Sequence, residues 1–217
     1  MSRIDLLTAK VISTFPMTFA SSEGGIAAGA DSIWVLTDAK GKLARINPSN
    51  NQIITEMNVP RGSFAVAYGE NSIFVTSTEE NLLARIDPKR NMIVDKIQVG
   101  SAPRFLAVGE GSVWTLNQGD GSISRVDLKS NKVVATIEAG IPGEGGEIAV
   151  GEGSVWATSF EFPITRIDPA SNKVVQQFYG PGGDAIRVGL GAVWLSNLLE
   201  GNVWRLDPRR IEATRSE

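Results

Sequence analysis

The chain has 217 residues, and its 21 Lys and Arg against 24 Asp and Glu give a formal net charge of −3. It contains no histidine and no cysteine, which excludes a Ser-His-Asp triad, a thiol nucleophile, disulfide bonds and metal sites built on soft ligands. Charges of both signs are interspersed along the chain, so no basic tract predicts a nucleic-acid partner.

The N-terminal segment reads as part of a soluble chain. Residues 1–5 lack the apolar core of a signal peptide, and no apolar run reaches the length of a membrane span. We therefore expect no membrane partner, and the sequence assigns no compartment. The stretch 3–12 copies the register of the stretch 166–175, so the chain begins in the middle of a repeat.

A repeat of about forty residues, aligned on one aromatic position per copy, runs through the chain. A glycine lies five residues before each of these marker aromatics. About eleven residues after the marker come a basic residue, an aliphatic residue and Asp or Asn, as in Arg125-Val126-Asp127. A turn and a β-branched run follow, as in Asn131-Lys132-Val133-Val134. The marker aromatics are Trp34, Phe74, Trp114, Trp156 and Trp194.

Each copy predicts four short strands joined by tight turns, and nothing in it has a helical period. Four-stranded antiparallel units of this length predict an all-β propeller in one domain spanning 1–217, most simply with five blades. Because the marker aromatic recurs once per unit at one strand position, we expect it to pack in the core. The units lie near residues 24–62, 63–102, 103–143, 144–182 and 183–208.

The last unit needs an outer strand. Its first three strands lie around Ile186, Trp194 and Leu206, but the polar tail 209–217 makes a poor fourth. We expect the segment 9–16 to supply that strand and close the ring. The surplus third-strand sequence at 3–5 leaves two alternatives, a fragment of a larger ring or completion by a second chain. A closed ring predicts a monomer and an open one an oligomer.

The pattern Gly-x-Gly-Ser-Val-Trp followed by Arg-Ile-Asp-Pro-x-x-Asn-Lys-Val-Val resembles the YVTN-type β-propeller repeats, which are close to the streptogramin lyase (virginiamycin B lyase-like) propellers. That resemblance implies six or seven blades. It also implies an elimination chemistry that uses a histidine base, a glutamate and a magnesium ion. Since this chain has no histidine, none of its positions takes over the catalytic role.

Candidate ligand-binding residues lie where the repeats disagree. In the innermost strands, the position seven before the marker is alanine in four copies and Arg187 in the fifth. The position nine before it is Glu147 in the fourth copy. Both positions share a strand face. We therefore expect a charged pair in the channel, which either binds a polar ligand or serves as a structural ion pair.

Loops at the channel mouth add further polar candidates. Those entering the innermost strands carry Glu23, Arg61, Arg104, Glu144 and Asp184. Those leaving the second strands begin with Thr37, Ser77, Asn117, Ser159 and Asn197. Small polar residues there either bind a ligand or cap strand ends through hydrogen bonds to the backbone. Phe160 and Phe162 suggest a partner-facing patch, and Trp204 lies outside the marker series as a candidate exposed aromatic.

Three functions fit this sequence. The first is a non-catalytic binding or scaffold module that holds a protein or a small polar ligand at one propeller face. The second is an enzyme of the lyase or glutaminyl-cyclase sort, the latter a five-bladed class, with Glu144, Glu147 and Asp184 as candidate acids. The third is a fragment or engineered piece of a larger propeller without its own activity. No cofactor or metal is predicted.

Overall fold

The protein is all-β in a computed structural model that describes residues 1–21, 23, 25–141 and 145–210. Within these ranges, 21 strands form six antiparallel sheets. The same ranges contain no helix long and apolar enough to cross a membrane. Consecutive strands pair as neighbours in every sheet, as expected when tight turns join them.

Sheets 1 to 3 each have four strands in chain order. Sheet 1 contains β3 (Ile26–Gly29), β4 (Ser32–Asp38), β5 (Lys42–Ile46) and β6 (Ile53–Asn58). Sheet 2 contains β7 (Ser63–Gly69), β8 (Ser72–Ser77), β9 (Leu82–Asp87) and β10 (Met92–Gln98). Sheet 3 contains β11 (Pro103–Gly109), β12 (Ser112–Asn117), β13 (Ser122–Asp127) and β14 (Lys132–Glu138).

The remaining sheets have four, three and two strands. Sheet 4 contains β15 (Glu147–Gly151), β16 (Ser154–Thr158), β17 (Ile164–Asp168) and β18 (Lys173–Phe178). Sheet 5 contains β19 (Ile186–Gly189), β20 (Ala192–Asn197) and β21 (Asn202–Leu206). The N-terminal hairpin contains β1 (Ser2–Ile4) and β2 (Val11–Thr14).

Turn chemistry explains why these strands begin and end where they do. Between the first two strands of sheet 3, Glu110 (φ 51°) and Gly111 (φ 67°) both adopt positive φ, the two-residue turn that matches the twist of a hairpin. Between the last two strands, Asn131 takes the left-handed conformation (φ 55°), which asparagine tolerates better than most residues. The sequence places the same turn types in the other sheets.

The core consists of sheet faces packed in succession. We call the face that carries the marker aromatic the front face and the opposite one the back face. Trp114 and Ile123 on the front of sheet 3 pack against Ile148 and Ile167 on the back of sheet 4. Equivalent clusters join sheet 1 to 2, sheet 2 to 3 and sheet 4 to 5. The prediction that the marker aromatics are core residues is confirmed for Trp34, Phe74, Trp114 and Trp156, whereas Trp194 is only half-buried.

An arginine reinforces each of these sheet junctions. Arg125 stacks over the Trp114 ring, 4.8 Å from its centroid, and its Nε donates to the Ser112 hydroxyl at 2.9 Å. The Nη1 of Arg125 crosses to sheet 4, where it donates to the backbone carbonyl of Pro169 and to Oδ1 of Asn172. Three further arginines have the same role: Arg45, Arg85 and Arg166. Their Nη1 atoms donate to the backbone carbonyls of Pro88, Leu128 and Pro208, respectively.

The N-terminal strand does not complete the last sheet as predicted from the sequence. In the described residues β2 pairs with β1, Arg3 facing Ser13, and β21 has no fourth strand beside it. The hairpin packs against sheet 1 instead, where Arg3 donates to the Pro48 carbonyl at 2.7 Å. The physical reason is local, because residues 3–5 provide a partner strand one short turn away and outcompete the distant edge of sheet 5.

We expect Arg125→Ala to lower the free energy of unfolding by roughly 2–4 kcal/mol, because the charged hydrogen bonds and the ring contact are lost together. Arg205→Ala is the matched control. Arg205 stacks over Trp194 but has no hydrogen-bond acceptor among the described residues, so the change there should stay within about 1 kcal/mol. Urea unfolding of dilute protein measures both. Equal losses in the two variants would contradict the role of the junction hydrogen bonds.

The turn aspartates make stability depend on acid. Oδ1 of Asp127 accepts from the hydroxyl and the backbone N–H of Ser130, both at 2.7 Å, and these bonds lower the pKa of the carboxyl below 3.8. Ser171 lowers the pKa of Asp168 in the same way. The side chain and backbone of Arg209 lower the pKa of Asp207 to about 2. A depressed folded-state pKa stabilises the folded state above the unfolded pKa, and that stabilisation is lost as the pH falls through the folded pKa.

We therefore expect the free energy of unfolding to decrease as the pH falls from about 4 to about 2. The double variant Asp127→Asn with Asp168→Asn keeps the acceptor oxygens and removes the charges, so its decrease should be smaller. The control is Glu110→Gln, an exposed hairpin-turn residue. Urea unfolding between pH 2 and 6 gives the three curves. If the free energy of unfolding of the double variant fell with pH as steeply as that of wild type, the turn aspartates would not be the cause of the acid dependence.

Candidate functional site

The innermost strands of the five larger sheets surround a cavity of about 520 Å³. At one position of each of the first four innermost strands its wall carries alanine: Ala27, Ala67, Ala107 and Ala149. Small residues leave room where the sheets approach one another most closely. Against this background the larger and charged lining residues are the ones that determine what the cavity can bind.

Glu147 and Arg187 meet on this wall as an ion pair between neighbouring sheets. The same Glu147 oxygen, Oε2, also accepts the backbone N–H of Ile186 at 3.2 Å, and Arg187 donates to the Ile186 carbonyl at 2.8 Å. The two partners differ in exposure, 17% for the glutamate side chain and 68% for the arginine. The arrangement therefore anchors the carboxylate in the wall and presents the guanidinium to the cavity and solvent.

A second ion pair involves Glu23, which lines the cavity. Nη2 of Arg104 in the innermost strand of sheet 3 lies 2.9 Å from Oε2 of Glu23, which precedes sheet 1. This contact therefore links sheet 3 to the segment before sheet 1. Arg104 lies 4.4 Å from the centroid of the Phe64 ring, and its Nη1 donates to Gln118 at 3.2 Å. Its Nε is buried without an acceptor.

Phe64 and Gln118 are site residues that the sequence reasoning missed. Phe64 and Phe105 pack edge to face with ring centroids 5.4 Å apart, and together they support the Arg104 guanidinium from sheets 2 and 3. Gln118 holds the same guanidinium and also donates to the Gly145 carbonyl. The sequence did contain a signal for Phe64: it lies ten residues before its marker aromatic, and Phe105 lies nine residues before the marker of the next repeat.

Two of the predicted polar residues, Asn117 and Asn197, are buried asparagines with different hydrogen bonding. Asn117 is fully buried, and its Nδ2 donates to the hydroxyls of Ser122 and Ser124 at 3.0 and 2.9 Å. These bonds tie the second strand of sheet 3 to the third. In sheet 5 the residues at the two serine positions are Asn202 and Trp204, and Nδ2 of the buried Asn197 has no partner.

Two further candidates have hydrogen bonds within their own sheets, Ser159 to its loop and Asp184 to the strand β20. Ser159 is buried, and its backbone N–H donates to the Phe162 carbonyl at 2.9 Å. Oδ2 of Asp184 accepts from the Ser196 hydroxyl at 3.4 Å. Neither Ser159 nor Asp184 is among the described residues that line the cavity. Glu144 lies outside the described residues.

Of the three aromatic candidates, Phe160 and Phe162 lie in the loop between β16 and β17, and Trp204 lies on β21. Phe162 packs edge on against Tyr179, with ring centroids 5.5 Å apart, so the loop that contains it is partly self-covered. Trp204 is half-buried in a groove of about 450 Å³ between Phe178 and Leu206. None of these aromatics lines the central cavity.

The described residues contain no group of three acidic side chains close enough to hold a metal ion. No protein-family model matches the chain, and no curated protein sequence matches it.

The chain has the fold of the β-propellers. Streptogramin B lyase superposes with a TM-score of 0.73 at 18% identity, over 90% of this chain and 68% of the lyase. Hydrazine synthase from Kuenenia stuttgartiensis superposes with a TM-score of 0.69 at 15% identity, over 92% of this chain and 70% of that one. At these identities the likeness is one of fold, as the sequence repeats predicted.

Glutaminyl cyclase from Myxococcus xanthus gives a TM-score of 0.55 at 15% identity, over 88% of this chain and 92% of the cyclase. The sheets therefore superpose better on part of the lyase than on nearly the whole cyclase.

We expect Asn117→Ala to lower the free energy of unfolding by about 2 kcal/mol, because it leaves two buried hydroxyls without their donor. Asn197→Ala, in the equivalent position, should cost clearly less since its Nδ2 has no partner to lose. Thermal or urea unfolding compares the two variants. A larger loss in Asn197→Ala would mean that the buried amides do not act through these hydrogen bonds.

Proposed function

We propose that this protein is a non-catalytic binding module, and that its ligand is a small polar molecule whose anionic group contacts Arg187 in the central cavity. The observation that carries the proposal is the exposed guanidinium of Arg187 at a lining position where the other four sheets have alanine. Arg187 is 68% exposed and reaches the cavity, although Glu147 pairs with it. An incoming carboxylate or phosphate gains charge-assisted hydrogen bonds from the exposed part of the guanidinium.

The cavity carboxylates support binding over catalysis. Among the described lining residues they are Glu23 and Glu147, and each is paired with an arginine. Glu23 is held by Arg104, and Glu147 by Arg187 and the backbone N–H of Ile186, so both carboxylates act in positioning the arginines of the site. The enzymes of similar fold do not weigh against this, since one propeller scaffold serves many functions.

The size of the cavity, about 520 Å³, favours a small ligand. Glu23 on its lining is paired with Arg104, and the Phe64 and Phe105 rings hold that arginine in place. The exposed guanidinium of Arg187 presents hydrogen-bond donors, so the site selects for acceptor-rich molecules.

The test uses inorganic phosphate, succinate and benzoate as probes. At least one should raise the thermal midpoint of the protein, by roughly 5–10 °C at a hundredfold excess over its Kd, because it binds the folded state alone. Arg187→Ala should abolish the shift. Glu147→Gln should preserve or enlarge it, since the substitution releases Arg187 from its ion pair.

The matched control is Arg90→Ala. Arg90 is an exposed arginine that pairs with Asp87 on a turn of sheet 2, away from the cavity, so its removal should leave the probe effect unchanged. Isothermal titration of the same variants gives the affinities directly. The proposal fails if no probe binds, if binding survives in Arg187→Ala, or if Arg90→Ala abolishes it equally.

A further inference from the structure

The front face of sheet 5 is left open in the described part of the chain. Trp194 is half-buried, whereas the marker aromatics of the other four sheets are at most 1% exposed. Val203 is 66% exposed. Its counterparts on the other front faces, all at most 5% exposed, are Leu43, Leu83, Ile123 and Ile164.

The back face of the N-terminal hairpin is open in the same way. Ile4 is 56% exposed and Val11, which faces it across the two strands, is 60% exposed. The counterparts of Ile4 on the back faces of sheets 1 to 4 are at most 1% exposed: Ile46, Ile86, Val126 and Ile167. The two open surfaces are therefore of opposite kinds, one front face and one back face.

The hairpin reproduces the last two strands of a repeat in detail. Its register shifts after Arg3, as the other sheets shift after the equivalent arginine. Ala9 takes the left-handed conformation (φ 54°) of the turn asparagines, and Asp5 accepts from Thr8 as Asp127 accepts from Ser130. It therefore presents the same back-face geometry that each sheet presents to its predecessor.

One donor and one acceptor of the junction pattern remain unused. Arg205 has no hydrogen-bond acceptor among the described residues, and the backbone carbonyl of Leu6 accepts no hydrogen bond from them. Leu6 follows Asp5 as the accepting residues of the other junctions follow their turn Asp or Asn. Those accepting residues are Pro48, Pro88, Leu128, Pro169 and Pro208.

We propose that two copies of this chain associate head to tail. The front face of sheet 5 in one copy, with Trp194, Val203 and Arg205, packs against the back face of the N-terminal hairpin in the other, with Ile4 and Val11. Arg205 donates to the Leu6 carbonyl across the junction.

The occupant is a second copy because the contact continues an interface that the chain already builds. At the junction of sheets 3 and 4, Trp114 and Ile123 cover Ile167. Trp194 and Val203 place an aromatic and an aliphatic side chain at the equivalent positions of sheet 5, and Ile4 is the counterpart of Ile167. Such a contact joins two different surfaces, so it leaves one of each free and closes as a ring or extends further. It is independent of the ligand proposal, since Arg187 and Glu147 take no part.

The test is the solution mass of the 217-residue chain, measured by sedimentation over a wide concentration range. Wild type should show concentration-dependent association. Val203→Glu and Ile4→Glu should each be monomeric, because each buries a charge in one of the two surfaces. Mixed one to one, the two variants should form a heterodimer and nothing larger, since the mixture retains one intact junction. Arg205→Gln should raise the Kd of association roughly tenfold or more.

Val134→Glu is the control, since Val134 is a similarly exposed valine on the outer strand of sheet 3. This variant should associate as wild type does. Circular dichroism verifies that each variant folds. The proposal is overturned by a monomeric wild type at all concentrations, by association of either single variant with itself, or by failure of the mixed variants to form a heterodimer.

Discussion

The reach of an arginine from one sheet into the next is the interaction on which the rest of the structure depends. Its guanidinium lies over a buried aromatic ring and ends on the turn of the following sheet, so one side chain fixes both the core and the spacing of neighbouring sheets. Arg125, between Trp114 and Pro169, shows the full set of contacts. Because each sheet meets its neighbours through the same contacts, the repeat determines the curvature of the arrangement.

Much of this fold could be predicted from the sequence, because its information is local and repeated. The marker aromatics, the turn asparagines and the glycines recur at fixed offsets, and each offset specifies one strand or turn. The pairing of the N-terminal strand could not be obtained in this way. Residues 9–16 fit either the edge of sheet 5 or the adjacent residues 3–5, and only the geometry of the folded chain distinguishes these partners.

The candidate site was partly predictable for the same reason. Glu147 and Arg187 stood out as departures from an alanine series, and the structure brings them together. The bridge between Arg104 and Glu23 joins sheets that are not neighbours in sequence, so no repeat offset marks it. For Asn117 the sequence left two roles open, since a buried amide that links strands and an amide that meets a ligand look alike in sequence; in the structure it donates to Ser122 and Ser124.

In the described part of the chain sheet 5 has three strands, and this has a consequence for dynamics. In an architecture where each unit is stabilised by its immediate neighbours, a terminal unit with one neighbour and an unpaired edge opens at the lowest free-energy cost. That unit contributes Arg187, whereas Glu147 belongs to the doubly supported sheet 4. The two halves of the ion pair therefore lie on units of unequal local stability. A ligand that contacts Arg187 therefore stabilises sheet 5 against local unfolding, which couples affinity to the local stability of that sheet.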